Sequence, residues 1–330
     1  MAAISTPLPV DQPGLAPKSR THRILDGLYP YGYITPSILF MVIASFFPII
    51  FTIYISMTNF GQGHITSFQF VGLKNFTDIF TNNTGLISLS GFAGIFEWTV
   101  AFAAITTALS FAGGLFLANL LNNENMWERN FYRTLLIIPW ALPGLIAILA
   151  WGAGILQFPY GLMDTFLGQL GISLAQQPQW LLDPFWARLA VFMVGFWLGY
   201  PFMMTACLGA LQSISPEVLQ AAEIDGATPL QKFFRVTLPL LRLATLPLII
   251  STFAYNLNNF GVVYLLTGGG PPVDAYHGAT DILPTVVYKF AYADQKYYLA
   301  CALGVLIFLI IGSFSAVNMK LSGAFQEVGR

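Results

Sequence analysis

The sequence predicts an all-α polytopic membrane protein with six transmembrane helices. Of its 330 residues, 56% are hydrophobic and only 9% are charged. A water-soluble domain typically carries ~25% charged residues, so this chain could not clothe itself in polar groups. Six apolar runs, at about 31–57, 92–120, 134–157, 187–212, 244–267 and 297–319, each have the length a helix needs to cross a bilayer. Lys and Arg are distributed unevenly between the alternate connections, as the positive-inside tendency requires of a multi-span protein.

Residues 1–30 form a Pro-rich polar N-terminal tail. The run that follows is too long for a signal-peptide core, so it reads as a retained first span. The six-span region occupies 31–320, and 321–330 form a short C-terminal tail. With both termini in the cytoplasm, the inner segments hold Lys18, Arg20, Arg23, Arg129, Arg133, Lys232, Arg235, Arg242, Lys320 and Arg330. The outer segments hold Lys74, Arg188, Lys289 and Lys296, a balance of ten against four for that orientation. Glu97, near the outer end of the second run, reads as an interfacial carboxylate rather than an ion site. Cys207 and Cys301 fall inside apolar runs, where they read as small hydrophobes. His22, His64 and His277 are scattered without ligand spacing, so no metal is expected. A net charge of −1 gives no electrostatic footprint for nucleic acid.

The connection 213–243 is the most structured part of the pattern. Ser215-Pro216 is an N-cap residue followed by the residue favoured at the first helical position. Ala221 and Ala222 offer a small-residue face that another protein could approach closely. Asp225-Gly226 can end the helix with glycine in a left-handed conformation. Thr228-Pro229-Leu230-Gln231 has the form of a capping box with Pro at the first helical position. Leu238-Pro239 predicts a break before the fifth span. The expectation is a helix, a sharp turn and a second helix between two spans. The orientation argument independently places this connection in the cytoplasm.

The energy source is bounded by what the apolar runs lack. Ion-driven carriers need ionisable groups at membrane depth, and the six cores hold essentially none. Gly268-Gly269-Gly270-Pro271 is glycine-rich, but no Gly-Lys-Ser/Thr follows, so it cannot cradle phosphates in the Walker manner. It reads as a turn at the outer end of span five.

Two constellations could meet a solute. In span five, Thr252, Tyr255, Asn256 and Asn259 recur at helical spacing and form one uncharged stripe of hydroxyls, amides and a ring. A neutral sugar needs this combination, whereas a phosphate or carboxylate solute would call for Arg or Lys. The same groups also suit hydrogen bonding between helices. Asn258, off the stripe, fits that second use. In span four, Gly199 and Pro201 could loosen the helix, with Trp197, Tyr200 and Phe202 as ring surfaces.

The 220–239 segment resembles the cytoplasmic coupling loop of ABC importer permeases. That family's pattern runs Glu-Ala-Ala, three residues, Gly, nine residues, an aliphatic residue, one residue, Leu-Pro. Ala221, Ala222, Gly226, Val236, Leu238 and Pro239 fall in register, while Gln220 replaces the usual Glu. Trp197-Leu-Gly-Tyr-Pro-Phe202, Asn258-Asn259-Phe260, Leu265-Leu266-Thr267 leading to Pro271, Gly278-Ala279-Thr280-Asp281 and Val317-Asn318-Met-Lys320 are similar to the maltose/maltodextrin (MalF-type) branch.

The resemblance implies the type I importer permease fold and a non-catalytic transport subunit for maltose, maltodextrin or a related neutral oligosaccharide. It implies multi-pass insertion in a bacterial inner membrane. The expected partners are a second, different permease subunit in a heterodimer, an ABC ATPase dimer that binds ATP and Mg, and an extracytoplasmic sugar-binding protein. It assigns sugar contact to Leu198, Gly199, Phe202, Thr252, Tyr255, Asn256 and Asn259. ATPase coupling falls to Gln220, Ala221, Ala222, Asp225, Gly226, Ala227 and Pro239. Two departures stand out. The first outer segment, about 58–91, is too short for the large outer domain of some maltose permeases, which shifts binding-protein contact to 61–80 and 268–294. Gly195 and Phe202 also lack side-chain polar atoms. Other solutes (trehalose, other oligosaccharides or glycerol phosphate) and an ATP-independent facilitator are the alternatives.

Overall fold

The computed structural model describes residues 20–81, 89–123, 126–273 and 277–321. The predicted tails lie outside these residues, apart from 20–30 and Leu321. The described residues contain helices and turns, with two isolated antiparallel bridges, Thr58 with Phe70 and Pro272 with Gly278. The helices are α1 Arg20–Ser56, α2 Lys74–Thr81, α3 Leu89–Leu121, α4 Arg129–Ala141, α5 Gly144–Leu149, α6 Leu162–Gln169 and α7 Pro184–Gln212. They continue as α8 Pro216–Ile224, α9 Pro229–Lys232, α10 Leu238–Leu257, α11 Phe260–Thr267, α12 Leu283–Tyr292 and α13 Tyr297–Leu321. The segment through Thr52 is a unit of its own, and Ile53–Arg330 is the second.

Four of the six predicted spans are single continuous helices: Tyr31–Ser56, Gly91–Leu121, Pro184–Gln212 and Tyr297–Ala316. The third and fifth are not straight. The third turns by 89° between α4 and α5. Leu142 lies between them in an extended conformation at φ −78° and ψ 143°, the region to which a residue preceding proline is driven, here by Pro143. Beyond α5 the chain makes a π-helical turn at Ala150–Ile155.

The break expected at Leu238-Pro239 is displaced. Pro239 sits in the first turn of α10, after a π-helical turn at Phe233–Thr237. The axis instead bends by 66° between Pro229–Arg242 and Ala244–Leu257. A proline inside a helix disturbs the carbonyl four residues upstream. For Pro239 that residue is Arg235, within the π-helical turn, and for Pro247 it is Leu243, at the bend. The fifth run then breaks a second time. Helix α10 stops at Leu257, Asn258 is exposed in the gap, and Asn259 caps α11. Asn258 is therefore part of a helix break and not a packing contact on a helix face.

Helices α3 and α7 pack through small residues. A Cβ at Gly114 would sit 2.7 Å from Met203 Cβ, one at Gly195 would sit 2.9 Å from Thr106 Cγ2, and one at Gly199 would sit 2.5 Å from Ser110 Oγ. This is the close backbone approach that small residues permit between membrane helices, where burial of apolar surface gives little preference for protein over lipid. It also holds α7 as one continuous helix through Pro201, so the loosening predicted around Gly199 and Pro201 does not interrupt it. Apolar layers flank the seam. One joins Phe102, Val191, Val194, Val263 and Ile282, and another joins Leu115, Ala118, Met204, Cys207 and Leu241.

At the end of α10–α11 remote from the α8–α9 connection, the chain is pinned by polar contacts. Trp98 Nε1 donates to the Thr280 carbonyl at 3.0 Å and Arg188 Nε donates to the Ala279 carbonyl at 2.9 Å. The Arg188 guanidinium lies 4.7 Å from the centre of the Trp98 ring. Such a cation–π contact contributes about 0.5–2 kcal/mol. The buried Asp281 carboxylate accepts from the Gly278 N–H, Thr285 Oγ1 and Lys289 Nζ. Gly268 and Gly269, at φ +62° and +84°, provide the turn that leads there.

Candidate functional site

A cavity of about 620 Å³ opens where α3, α5, α7, α10 and α11 meet the α4–α5 break. That volume lies within the roughly 300–1,000 Å³ typical of small-molecule sites. All seven residues expected to meet a solute line it: Leu198, Gly199, Phe202, Thr252, Tyr255, Asn256 and Asn259. None of its lining residues is charged.

The stripe is not one continuous helix face. Thr252, Tyr255 and Asn256 lie on α10, whereas Asn259 lies past its end, with Asn259 Oδ1 accepting from the Val262 N–H at 3.5 Å. The helix break brings the second amide to the same wall. Asn259 Nδ2 donates to Asn256 Oδ1 at 3.2 Å, and Asn256 Nδ2 donates to Thr107 Oγ1 at 3.0 Å. Asn256 is 4% exposed and Tyr255 is 68% exposed. The two uses considered for this stripe are thus divided between residues: Asn256 ties helices together while Tyr255 offers a free ring to the cavity.

The other aromatic residues expected near span four are spent elsewhere. Trp197 packs edge-on to Trp151 at 5.7 Å, and Tyr200 is buried beside Phe196 at 5.4 Å. Only Phe202 of the three rings lines the cavity.

Besides Leu248, Ser251, Gly261, Val262 and Leu265 on the fifth run, two groups of lining residues from other elements were missed from the sequence. Pro139, Trp140, Leu142 and Gly144 arrive through the 89° turn between α4 and α5. Pro139 and Pro143-Gly144 were the available signal, but a hydropathy run records length and not direction. Ser110 comes from α3, opposite Gly199. Its Oγ and Thr106 Oγ1 are buried with no hydrogen-bond partner among the described residues.

The second constellation is the α8–α9 connection. Helix α8 begins at Pro216, but Ser215 does not cap it with its side chain: its hydroxyl donates to the Glu217 carboxylate instead. That bond holds the Glu217 carboxyl below the usual carboxylate range. Asp225 closes α8, Gly226 takes φ +78°, and the Ala227 N–H donates to the Ala222 carbonyl at 3.0 Å. The capping box then forms as predicted. The Gln231 N–H donates to Thr228 Oγ1 at 3.3 Å, and the Thr228 N–H donates to Gln231 Oε1 at 2.9 Å. Lys232 pairs with Glu223 across the turn. Gln220, Ala221, Asp225 and Gly226 are exposed, while Ala222 and Ala227 are half-buried. Ile224, Leu230 and Phe234 are 86%, 70% and 59% exposed, which adds an apolar surface of the kind that marks protein contact.

Away from both constellations, Asp164 on α6 is buried and accepts from Trp180 Nε1 at 3.2 Å. Burial raises its carboxyl above the ordinary value, against the opposing effect of the Trp180 bond.

Residues 110–320, which hold the cavity stripe and the α8–α9 connection, match the family described as binding-protein-dependent transport system inner membrane component. The galactooligosaccharides transport system permease protein of Bacillus subtilis is 35% identical over 315 residues, covering 94% of this chain and 74% of that protein. The maltose/maltodextrin transport system permease protein of Salmonella typhimurium is 41% identical over 257 residues, covering 76% of this chain but 48% of its own length. The chain therefore spans about half of that longer relative. A solved bacterial ABC transporter involved in import of the acidic polysaccharide alginate superposes with a TM-score of 0.75 over 94% of this chain at 20% identity. It shares the fold.

Proposed function

The chain belongs to the family of binding-protein-dependent transport system inner membrane components, and on that premise we propose that it is the permease subunit of an ATP-driven importer for maltose, maltodextrin or a related neutral oligosaccharide. The observation that carries the solute class is the cavity. It is free of charged residues, is walled by the Thr252 and Asn259 side chains with the buried Asn256 amide holding Asn259 in place, and carries an open Tyr255 ring. Amides and hydroxyls pair with sugar hydroxyls, and an aromatic face packs against sugar C–H groups. The named relatives handle galactooligosaccharides and maltose or maltodextrin, which agrees with this chemistry.

Within this reading the α8–α9 connection receives an ABC ATPase dimer. Ala221 and Gly226 permit close approach, and Ile224, Leu230 and Phe234 supply apolar contact. ATP and Mg are held by those partners. A second permease subunit closes the cavity, and a sugar-binding protein delivers solute at the 61–80 and 268–294 segments. The chain lies in a bacterial inner membrane with both termini in the cytoplasm. It catalyses no bond change itself. Closure of the ATPase pair moves α8 and α9, and the solute-binding helices shift between two arrangements that the sugar binds unequally.

Proteoliposomes containing the assembled transporter test the solute class. Uptake of radiolabelled maltose is expected, with no competition by glycerol phosphate or another anionic solute. Uptake of the anion in preference to the sugar would overturn the solute assignment.

A further inference from the structure

A second cavity, of about 650 Å³, lies on the other side of α11. Helix α11 presents Gly261, Val262 and Leu265 to the first cavity and Tyr264 and Thr267 to the second, where its cap Gly268 joins them. It has eight residues, so about 12 Å of helix borders both spaces.

This second space is built around a row of rings. Phe260 and Tyr264 stack at 4.7 Å, Tyr264 meets Tyr288 at 4.6 Å, and Tyr288 stacks on Tyr292 at 4.5 Å. Tyr292, at the open end, is 71% exposed. Lys289 is held at the wall by the buried Asp281 carboxylate at 2.5 Å, and Asp294 lies at the rim. Ring faces beside phenols, an ammonium and a carboxylate form the donor, acceptor and C–H-stacking set that neutral carbohydrates use. Lys289 is paired with Asp281, so the lining offers no unpaired ammonium to an anionic solute.

We propose that this cavity is a second subsite for a neutral oligosaccharide, engaging sugar units beyond those held in the first cavity. The proposal rests on the sugar-import reading. The subsite lies at the end of α10–α11 remote from the coupling connection, so a chain entering from that end meets the tyrosine row before the Asn256–Asn259 wall. Oligomers long enough to pass along α11 engage both spaces.

The test is uptake kinetics of the assembled transporter across a length series of α-1,4-linked glucose oligomers and β-linked galacto-oligomers, in the wild type and in Tyr292→Ala, Tyr288→Ala and Tyr292→Phe. In the alanine variants, KM for the longer oligomers is expected to rise relative to the disaccharide by roughly three- to tenfold, the size of one aromatic stacking contact. Tyr292→Phe, which keeps the ring, is expected to retain most of the wild-type length dependence. Tyr292 is exposed and outside the core, so Tyr292→Ala is read even if Tyr288→Ala fails to assemble. A wild type that imports these sugars, with alanine variants that leave its length dependence unchanged, overturns the second subsite alone. A wild type that imports none of them overturns the sugar reading and this subsite with it.

Discussion

Asn256 divides its side chain between two neighbours, Thr107 on α3 and Asn259 in the helix break. Replacing it with alanine strands a buried hydroxyl and frees the second amide, a loss of about 1–3 kcal/mol at such sites. Asn256→Ala is therefore expected to cut sugar uptake about tenfold or more while ATPase docking survives. Uptake and pull-down of the ATPase on the same preparation check this, and loss of assembly would make Asn256 an interhelix tie alone. Asp164 offers a prediction of a different kind. Its folded carboxyl is raised by burial, so the folded protein holds its proton at pH values where the unfolded chain has released it. Its contribution to stability is present below the unfolded carboxylate range and is lost as pH rises through the folded value. Asp164→Asn keeps an acceptor for Trp180 and removes that loss. Its apparent Tm is expected to exceed wild type at neutral pH and to match it in acid, measured by thermal unfolding in detergent. An equal or lower Tm at neutral pH would mean the charged form is not penalised.

Among the elements, the α3–α7 seam and the α8–α9 turn depend on glycine for different reasons. At Gly114 a methyl group would meet the Met204 backbone N at 2.7 Å, and backbone cannot swing aside as a side chain can. Gly114→Ala is expected to cost about 1–3 kcal/mol through overpacking, read as a lower apparent Tm. Gly226 meets no close neighbour but sits at φ +78°, which proline's ring cannot adopt. Gly226→Pro is expected to abolish sugar-stimulated ATP hydrolysis without altering sugar binding by the isolated binding protein. The turn chemistry here was legible because it is local: Thr228 and Gln231 form the capping box at the spacing the sequence displays. The stripe Thr252, Tyr255 and Asn256 was legible because a helix repeats every 3.6 residues. Asn259 reached the same wall by another route, through a break that its own capping creates. The α4–α5 turn was not legible as a site. An apolar run can be recognised as long enough to cross, but two prolines decide that it folds back by 89°. Ser110 carried no signal at all, since its place in the cavity depends on Gly199 across the seam.

At the scale of the whole molecule, an uncharged cavity and an exposed two-helix connection lie at opposite ends of α10 and are joined by it. Helix α10 bends by 66° near the connection and ends at the Asn256–Asn259 wall. Its kinked first turns and the π-helical turn at Phe233–Thr237 give it two places at which a push on α8 and α9 could be absorbed or passed on. Sequence hydropathy supplied the span count and approximate limits, but neither the bends nor the cavity they enclose. Those arise from proline positions read together with the partners across each helix seam. The central claim is that solute in the cavity is coupled to ATP hydrolysis by a separate subunit. The most direct measurement reconstitutes this chain with its companion permease, ATPase and binding protein, and follows ATP hydrolysis with and without maltose. The importer reading predicts hydrolysis stimulated by the maltose-loaded binding protein and lost in Gly226→Pro. An ATPase that fails to associate with the chain, or hydrolyses ATP at the same rate whether sugar is present or not, would contradict it.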